Sequence, residues 1–320
     1  MIIDLNPEFG CELACGIPYA YWLHQRGELD KVITTKGMKP FYYFCDDVEE
    51  QYDNRSVDNF HNGMEKLPNP WNHHNALGVT GKGYGDLSKE EQIEINGVLD
   101  YRQWIVPPYR EHYSKQSLEY KFVKPYIVVS NRYNFEHAKP PRGFFDIECL
   151  YNIFNYLTEQ GYAVIYKRPD NTEFALDDNE VMTLRDGCKL EAEVEGIGMI
   201  NDYELCEYYD DVFLLDDLIA DEKCSYNEGQ LKLFSHADGF ISMAGGSGIF
   251  CSCFGKTNIT YVTTSKELRE GYFDGDSYYK KLSGCNVIPI IDSEHDIEKR
   301  GHRDYSKLYT EMRRNFNENN

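Results

Sequence analysis

Five short apolar runs in the second half of the chain constrain its fold most: YIVVS at 126–130, AVIYK at 163–167, VFLLD at 212–216, GFISMA at 239–244 and NITYV at 258–262. Each has the length of a buried strand and falls short of a buried helix. The segments between them carry helical spacing. At 146–160, Ile147, Leu150, Ile153, Phe154 and Leu157 fall on one face, and Gly161 ends the pattern. Further helices are expected around Glu228 to Ser235 and from about Ser247. Strands and helices alternating at this distance make βαβ crossovers and a parallel sheet.

The start of the chain repeats the theme. A strand at Met1–Leu5 leads through a polar loop with Pro7 and Gly10 into a helix from about Leu13 to Arg26, then a strand at Lys31–Thr35 and the run FYYF at 41–44. Residues 52–87, rich in Asn, Gly, Pro and His, read as a long loop. Ser88 with Glu91 opens a helix to about Trp104, which Pro107-Pro108 ends. The predicted fold class is therefore α/β, with two Rossmann-like doubly wound units facing a cleft. The first spans 1–120, the second 121–300, and a helix in 301–320 is expected to return to the first unit.

With 54 acidic and 33 basic side chains, the net charge of −21 is spread along the chain and repels polyphosphate, which argues against nucleic acid and anionic membranes as partners. The N-terminus MIIDLNPEFG has neither the basic start nor the apolar core of a secretory signal, and no run reaches the ~20 apolar residues of a membrane span. A cytoplasmic protein is expected. The ten cysteines lack the paired CxxC spacing of a zinc site and are read as reduced core thiols, with no metal site.

The glycine turn Gly245-Gly246-Ser247-Gly248 stands where a strand ends and a helix begins. Residues without a Cβ let backbone N–H groups approach a ligand, and a helix start carries unpaired N–H groups and about half a positive charge. The turn reads as an anion seat, most naturally for a diphosphate, with Ser247 as cap or donor. Tight packing of the helix on the strand is the alternative explanation of the glycines. The turn matches neither GxGxxG nor a Walker sequence, and Ile249 stands where the nucleophile elbow of a Ser hydrolase needs glycine. Asn131 and Arg132 after YIVVS, and Arg168 after AVIYK, bring donors to the same edge.

The segments VVSNRYNFEH (128–137), VIYKRP (164–169), INDYEL (200–205) and 226–262, together with the first βαβ unit, resemble GT-B-fold glycosyltransferases. The likeness is to a little-described group found in polysaccharide gene clusters and large DNA viruses, and it covers about half the chain. It implies a nucleotide-sugar donor, UDP ahead of GDP, held by the second unit. It also implies a glycan or glycoconjugate acceptor at the first unit, and neither cofactor nor metal. Carried over by position, Gly245, Gly246 and Ser247 face the diphosphate with Arg168 near, and Tyr226 and Asn227 lie by the nucleoside; Gly248, Asn131 and Arg132, from the turn and the strand ends, complete the expected donor site. The acidic residue that often holds the ribose is missing after the turn.

Transfer to a hydroxyl calls for a base within about 3 Å of it. Glu8, Glu12, Asp46 and Asp47 are the carboxylates on loops of the first unit; Asp46-Asp47, directly after FYYFC, stand at the expected cleft edge and with Glu12 are the expected catalytic residues, while His61, His73 and His74 lie in the long loop. Asp274-Gly275-Asp276 has the spacing of a DxD metal motif but reads as a turn. A non-catalytic sugar- or nucleotide-binding protein and a hydrolase acting through Ser247 are the alternative functions.

Overall fold

The computed structural model describes residues 1–53, 55, 67–68, 71, 88, 90, 105–120, 122–133, 143–168, 190–196, 198–263 and 284–317. The helix expected between Ser88 and Trp104 falls almost wholly outside them.

The first unit holds three parallel strands, β1 (Ile2–Asp4), β2 (Lys31–Thr35) and β3 (Val48–Tyr52), side by side in that order. The loop after β1 enters a helical run in three parts: α1 (Phe9–Cys11), a π-helical segment (Glu12–Gly16) and α2 (Ile17–Gln25). π-helical segments are rare and are frequent at functional sites. FYYF is no strand. Lys39–Tyr42 is a 3-10 turn that buries Phe41 and Tyr42, and β3 is the polar, largely exposed VEEQY that follows.

The second unit is a six-stranded parallel sheet. Its strands are β4 (Tyr126–Ser130), β5 (Ala163–Lys167), β8 (Val212–Leu214), β9 (Gly239–Met243), β10 (Thr257–Val262) and β11 (Asn286–Ile291), ordered β11-β10-β9-β4-β5-β8. Each of the five apolar runs supplies a strand, but VFLLD is strand only to Leu214, and Leu215-Asp216 already opens a helix. The sixth, NVIPII, carries Pro289 on a strand that pairs only with β10, the edge position proline tolerates. A hairpin of β6 (Glu191–Val194) and β7 (Gly198–Asn201) also enters, followed by α5 (Asp202–Cys206).

Side chains of β4, β5, β9 and β10 alternate between two layers. Ile127, Val129, Val164, Tyr166, Ile241 and Ile259 share one apolar layer with the stripe of α4 (Ile147–Glu159), whose N-terminus is capped by Asp146 accepting from the Cys149 N–H. The C-terminal helix α9 (Ser306–Asn315) lies in this layer too, through Leu308 and Met312, and Phe316 follows it there. The expectation that it returns to the first unit is thus corrected: its apolar stripe is spent on the second sheet, where the Phe316 ring lies against Gly239.

Val128, Ile165, Phe240 and Val262 face the other way, toward α6 (Leu215–Asp221), α7 (Tyr226–His236) and α8 (Gly246–Ser252). That apolar cluster continues without interruption into the first unit, where Phe9, Phe41 and Tyr109 meet Phe234, Phe250 and Phe254. Helix α3 (Tyr109–Tyr113) ties the two together. The Tyr109 and Tyr113 hydroxyls donate to the Phe41 and Pro40 carbonyls at 3.0 and 2.6 Å, and Arg110 Nη1 donates to the Ala237 carbonyl at 3.0 Å. The two parallel sheets therefore share one core.

Candidate functional site

The chain runs β4, β5, β8 toward one edge of the large sheet, then returns to lay β9, β10 and β11 on the other side of β4. The loops after β4 and β9 leave in opposite directions, and such a switch point opens a crevice at the carboxyl ends of the strands. Arg132 and the glycine turn stand there.

Gly245 takes φ 104°, a conformation that disfavours every residue with a Cβ, and α8 begins directly after it with no side-chain cap. Gly245, Gly246 and Ser247 are half-buried, and what the two glycines expose is backbone, since they have no side chain. Gly248 is different. It is buried, and a Cβ there would lie 2.7 Å from the Met243 carbonyl oxygen. Its glycine serves the packing of α8 on β9, which corrects the expectation that it faces a ligand.

Arg132 is half-buried, with Nε donating to the Gly143 carbonyl at 3.2 Å. A Cβ on Gly143 would touch Thr263 Oγ1, Arg132 Nη2 and Met243 Cε at 3.0, 3.3 and 3.4 Å. This places the guanidinium across the ends of β9 and β10.

The first unit supplies the opposing wall. A Cβ built on Gly10 would stand 3.0 Å from Glu8 Oε2 and 3.2 Å from the Cα of Gly246. The Glu8 carboxylate, half-buried and capping α1 by accepting from the Cys11 N–H at 3.0 Å, therefore stands beside the glycine turn.

Four expected donor contacts lie elsewhere in the fold. Asn131 is fully buried. Its Nδ2 donates to the Phe145 carbonyl and the Tyr166 hydroxyl, and its Oδ1 accepts from the Phe145 and Arg132 N–H groups. Arg168 is 6% exposed and forked onto Asp202, through Nε to Oδ2 and Nη2 to Oδ1, with its guanidinium over the Tyr203 ring. Burial works to lower the Arg168 pKa, but Asp202 outweighs it and raises the pKa above its ordinary value. Arg168 thus pins α5, with the hairpin before it, to the end of β5 rather than facing the crevice. Tyr226 is buried, with its hydroxyl bonded to Asp216. Asn227 donates to the Gly37 carbonyl of the first unit at 2.7 Å and accepts from Gln230 Nε2, so its amide joins the units.

The carboxylates sort likewise. Glu12 has no exposure. It accepts from Thr34 Oγ1 and from the Tyr42 hydroxyl at 2.8 Å, and pairs with Arg55 Nη2 at 2.6 Å, so no acceptor hydroxyl reaches it. Asp46 and Asp47 are exposed and precede β3; the Asp47 carbonyl accepts from the Val32 N–H. They lie at the amino end of the first sheet, opposite its carboxyl-end loops, because FYYF turns instead of forming a strand. Neither they nor Glu12 stands where Glu8 does. His61, His73, His74 and Asp274-Gly275-Asp276 lie outside the described residues. No cluster of metal-ligating side chains occurs among the described residues, and no disulfide joins the described cysteines.

Reading the sequence did not single out Lys167. It is 2% exposed at the end of β5, donates to Gln230 Oε1 at 2.9 Å, and stands over the Phe234 and Phe250 rings. Burial lowers its pKa to about 8, against weaker opposing effects of Cys251 and Asp216. A lysine closing an all-apolar strand was the available signal.

These features define the class: a parallel α/β protein in which a loop of a second parallel sheet meets the glycine turn at the switch point of the large one. No protein-family model matches the chain, and no curated protein matches its sequence. Among solved structures it is similar to ADP-heptose LPS heptosyltransferase II of Escherichia coli, at 12% identity and TM-score 0.47, covering 92% of this chain and 91% of that one. A glycosyl transferase family 9 protein of Veillonella parvula aligns at 9% identity and TM-score 0.43, covering 96% and 90%. The iron-containing dodecameric glycosyltransferase TibC of enterotoxigenic E. coli aligns at 12% and 0.39, covering 81% and 57%. Likenesses of this degree assign neither family nor activity to this chain.

Proposed function

We propose that the protein is a GT-B-type glycosyltransferase that moves a sugar from a nucleotide-diphosphate donor, UDP ahead of GDP, to a hydroxyl of a glycan or glycoconjugate. The observation that carries this reading is the approach of Gly10 to Gly246, which brings a carboxylate from the first loop of one parallel sheet beside the glycine turn of the other.

In this reading the backbone N–H groups of Gly246 and Ser247, with Arg132 across the crevice, receive the diphosphate, in a protein whose overall charge would otherwise repel it. Glu8 takes the proton of the acceptor hydroxyl as its oxygen bonds to the anomeric carbon. The bond from that carbon to the diphosphate oxygen breaks, and the leaving charge falls on N–H groups and guanidinium already in place. Asn131, Arg168, Tyr226 and Asn227 act one step back, holding the elements that frame the crevice.

The test is a panel of UDP-, GDP- and ADP-sugars, with and without added magnesium, read by thermal shift and by release of nucleoside diphosphate. A ligand at 100 times its dissociation constant stabilises by about 2.7 kcal/mol, well within detection. Release of nucleoside diphosphate from one donor class supports the transferase. Binding with no release leaves a sugar- or nucleotide-binding protein, and no stabilisation by any donor removes the reading.

A further inference from the structure

The buried pair Glu12–Arg55 lies directly beneath the loop that carries Glu8. Arg55 is 1% exposed and comes from the segment after β3. Its Nη1 donates to the carbonyl of Pro7, the residue before Glu8, its Nη2 meets Glu12 Oε2 at 2.6 Å, and its guanidinium carbon lies 5.8 Å from the centre of the Phe9 ring. One planar group thus touches the chain on both sides of Glu8 and the helical run beyond it.

The other oxygen of Glu12 accepts from Thr34 on β2 and from Tyr42. Burial, and next the Glu12 charge, hold the Tyr42 hydroxyl well above its ordinary pKa, so it remains a donor. Glu12 itself sits in the π-helical segment, where the irregular turn carries its side chain into this buried position.

A buried ion pair is weak evidence for stability, since desolvation offsets much of the attraction, and apolar replacements often do as well. A fork that spans Pro7, Phe9 and Glu12 has a different use: it sets the path of the backbone between them. We infer that Arg55 is a positioning residue that holds the Pro7–Cys11 segment, and with it the Glu8 carboxylate, at the glycine turn, with Glu12 as its counter-ion. The inference rests on the reading of Glu8 as the base for its catalytic meaning, while the clamp on the loop stands on geometry alone.

Arg55→Met by itself strands the Glu12 charge in the core and is expected to unfold the first unit. The informative protein is therefore the double variant Arg55→Met/Glu12→Gln, which removes both charges and keeps an acceptor for Thr34 and Tyr42. Two measurements are made on the full chain. Hydrogen exchange reads the Cys11 amide, which donates to Glu8 Oε2, against the amides of β4 and β5. Steady-state release of nucleoside diphosphate uses whichever sugar nucleotide of the panel the wild type accepts.

The expected result is a folded double variant whose Cys11 amide exchanges about tenfold faster or more while β4 and β5 are unchanged. Its kcat should fall about tenfold to a hundredfold at unaltered donor KM. Unchanged Cys11 exchange overturns the clamp, and wild-type kcat in the double variant overturns its catalytic meaning. If the wild type accepts no donor, the transferase reading falls, and the exchange measurement still decides the clamp.

Discussion

Gly10 and Gly246 meet backbone to backbone: a Cβ on the first would stand 3.2 Å from the Cα of the second and 3.0 Å from a Glu8 carboxylate oxygen. Neither glycine has a positive φ, so the contact, rather than a turn, is what the missing side chain serves. Gly10→Val is expected to push the Glu8 loop off the glycine turn, costing about 1–3 kcal/mol in overpacking and abolishing donor turnover. Thermal unfolding and nucleoside diphosphate release measure the two effects. A variant with wild-type turnover would show that the approach is incidental.

Arg168→Ala leaves Asp202 buried beside Tyr166 with its forked partner gone. Loss of one member of a buried pair costs about 3–5 kcal/mol. Urea unfolding should show that loss for Arg168→Ala and much less of it for Arg168→Met/Asp202→Asn. Donor affinity in the double variant should stay near wild type, because the guanidinium is turned to α5; a collapse of affinity there would return Arg168 to the binding site.

Lys167 makes stability depend on pH in a defined direction. Burial brings its folded pKa to about 8 from 10.5. Between those values the unfolded chain binds a proton that the folded chain does not, so this group's contribution rises as pH climbs from about 8 to 10.5 and is lost as pH falls through 8. Lys167→Met removes that rise. Urea midpoints from pH 7 to 10.5 should show the variant at its greatest relative advantage at pH 7, with the difference narrowing upward. A constant difference would mean that the amine does not titrate in this range.

Ser247→Ala separates two chemistries at one position. A hydroxyl that only donates to a phosphate oxygen is worth about 0.5–1.5 kcal/mol, a loss of roughly threefold to tenfold in donor affinity. A nucleophile would lose several orders of magnitude in hydrolysis of an ester such as p-nitrophenyl acetate. Titration calorimetry with the accepted donor, run beside the ester assay, distinguishes them.

Strand and helix positions were legible because they follow from local chemistry. YIVVS, AVIYK and NITYV are compact apolar runs, and the stripe of α4 repeats at helical spacing between Asp146 and Gly161. β3 was not legible, since VEEQY has no apolar face to announce it; its evidence is its pairing with β2. The same holds for the roles of polar side chains. Arg168, Asn131 and Asn227 look like ligand contacts in a linear sequence, and each turns inward to a partner 14 to 190 positions away.

By itself the sequence determined the parallel α/β architecture of the second unit and the turn at Gly245–Gly248, because hydrophobic periodicity and the allowed φ of glycine act over a few residues. Only the tertiary structure decided which carboxylate meets that turn. Glu8, Glu12, Asp46 and Asp47 are chemically alike. What distinguishes them is a shared apolar core that presses the first loop of one sheet against the glycine turn of the other, buries Glu12 with Arg55, and leaves the two aspartates at the far end.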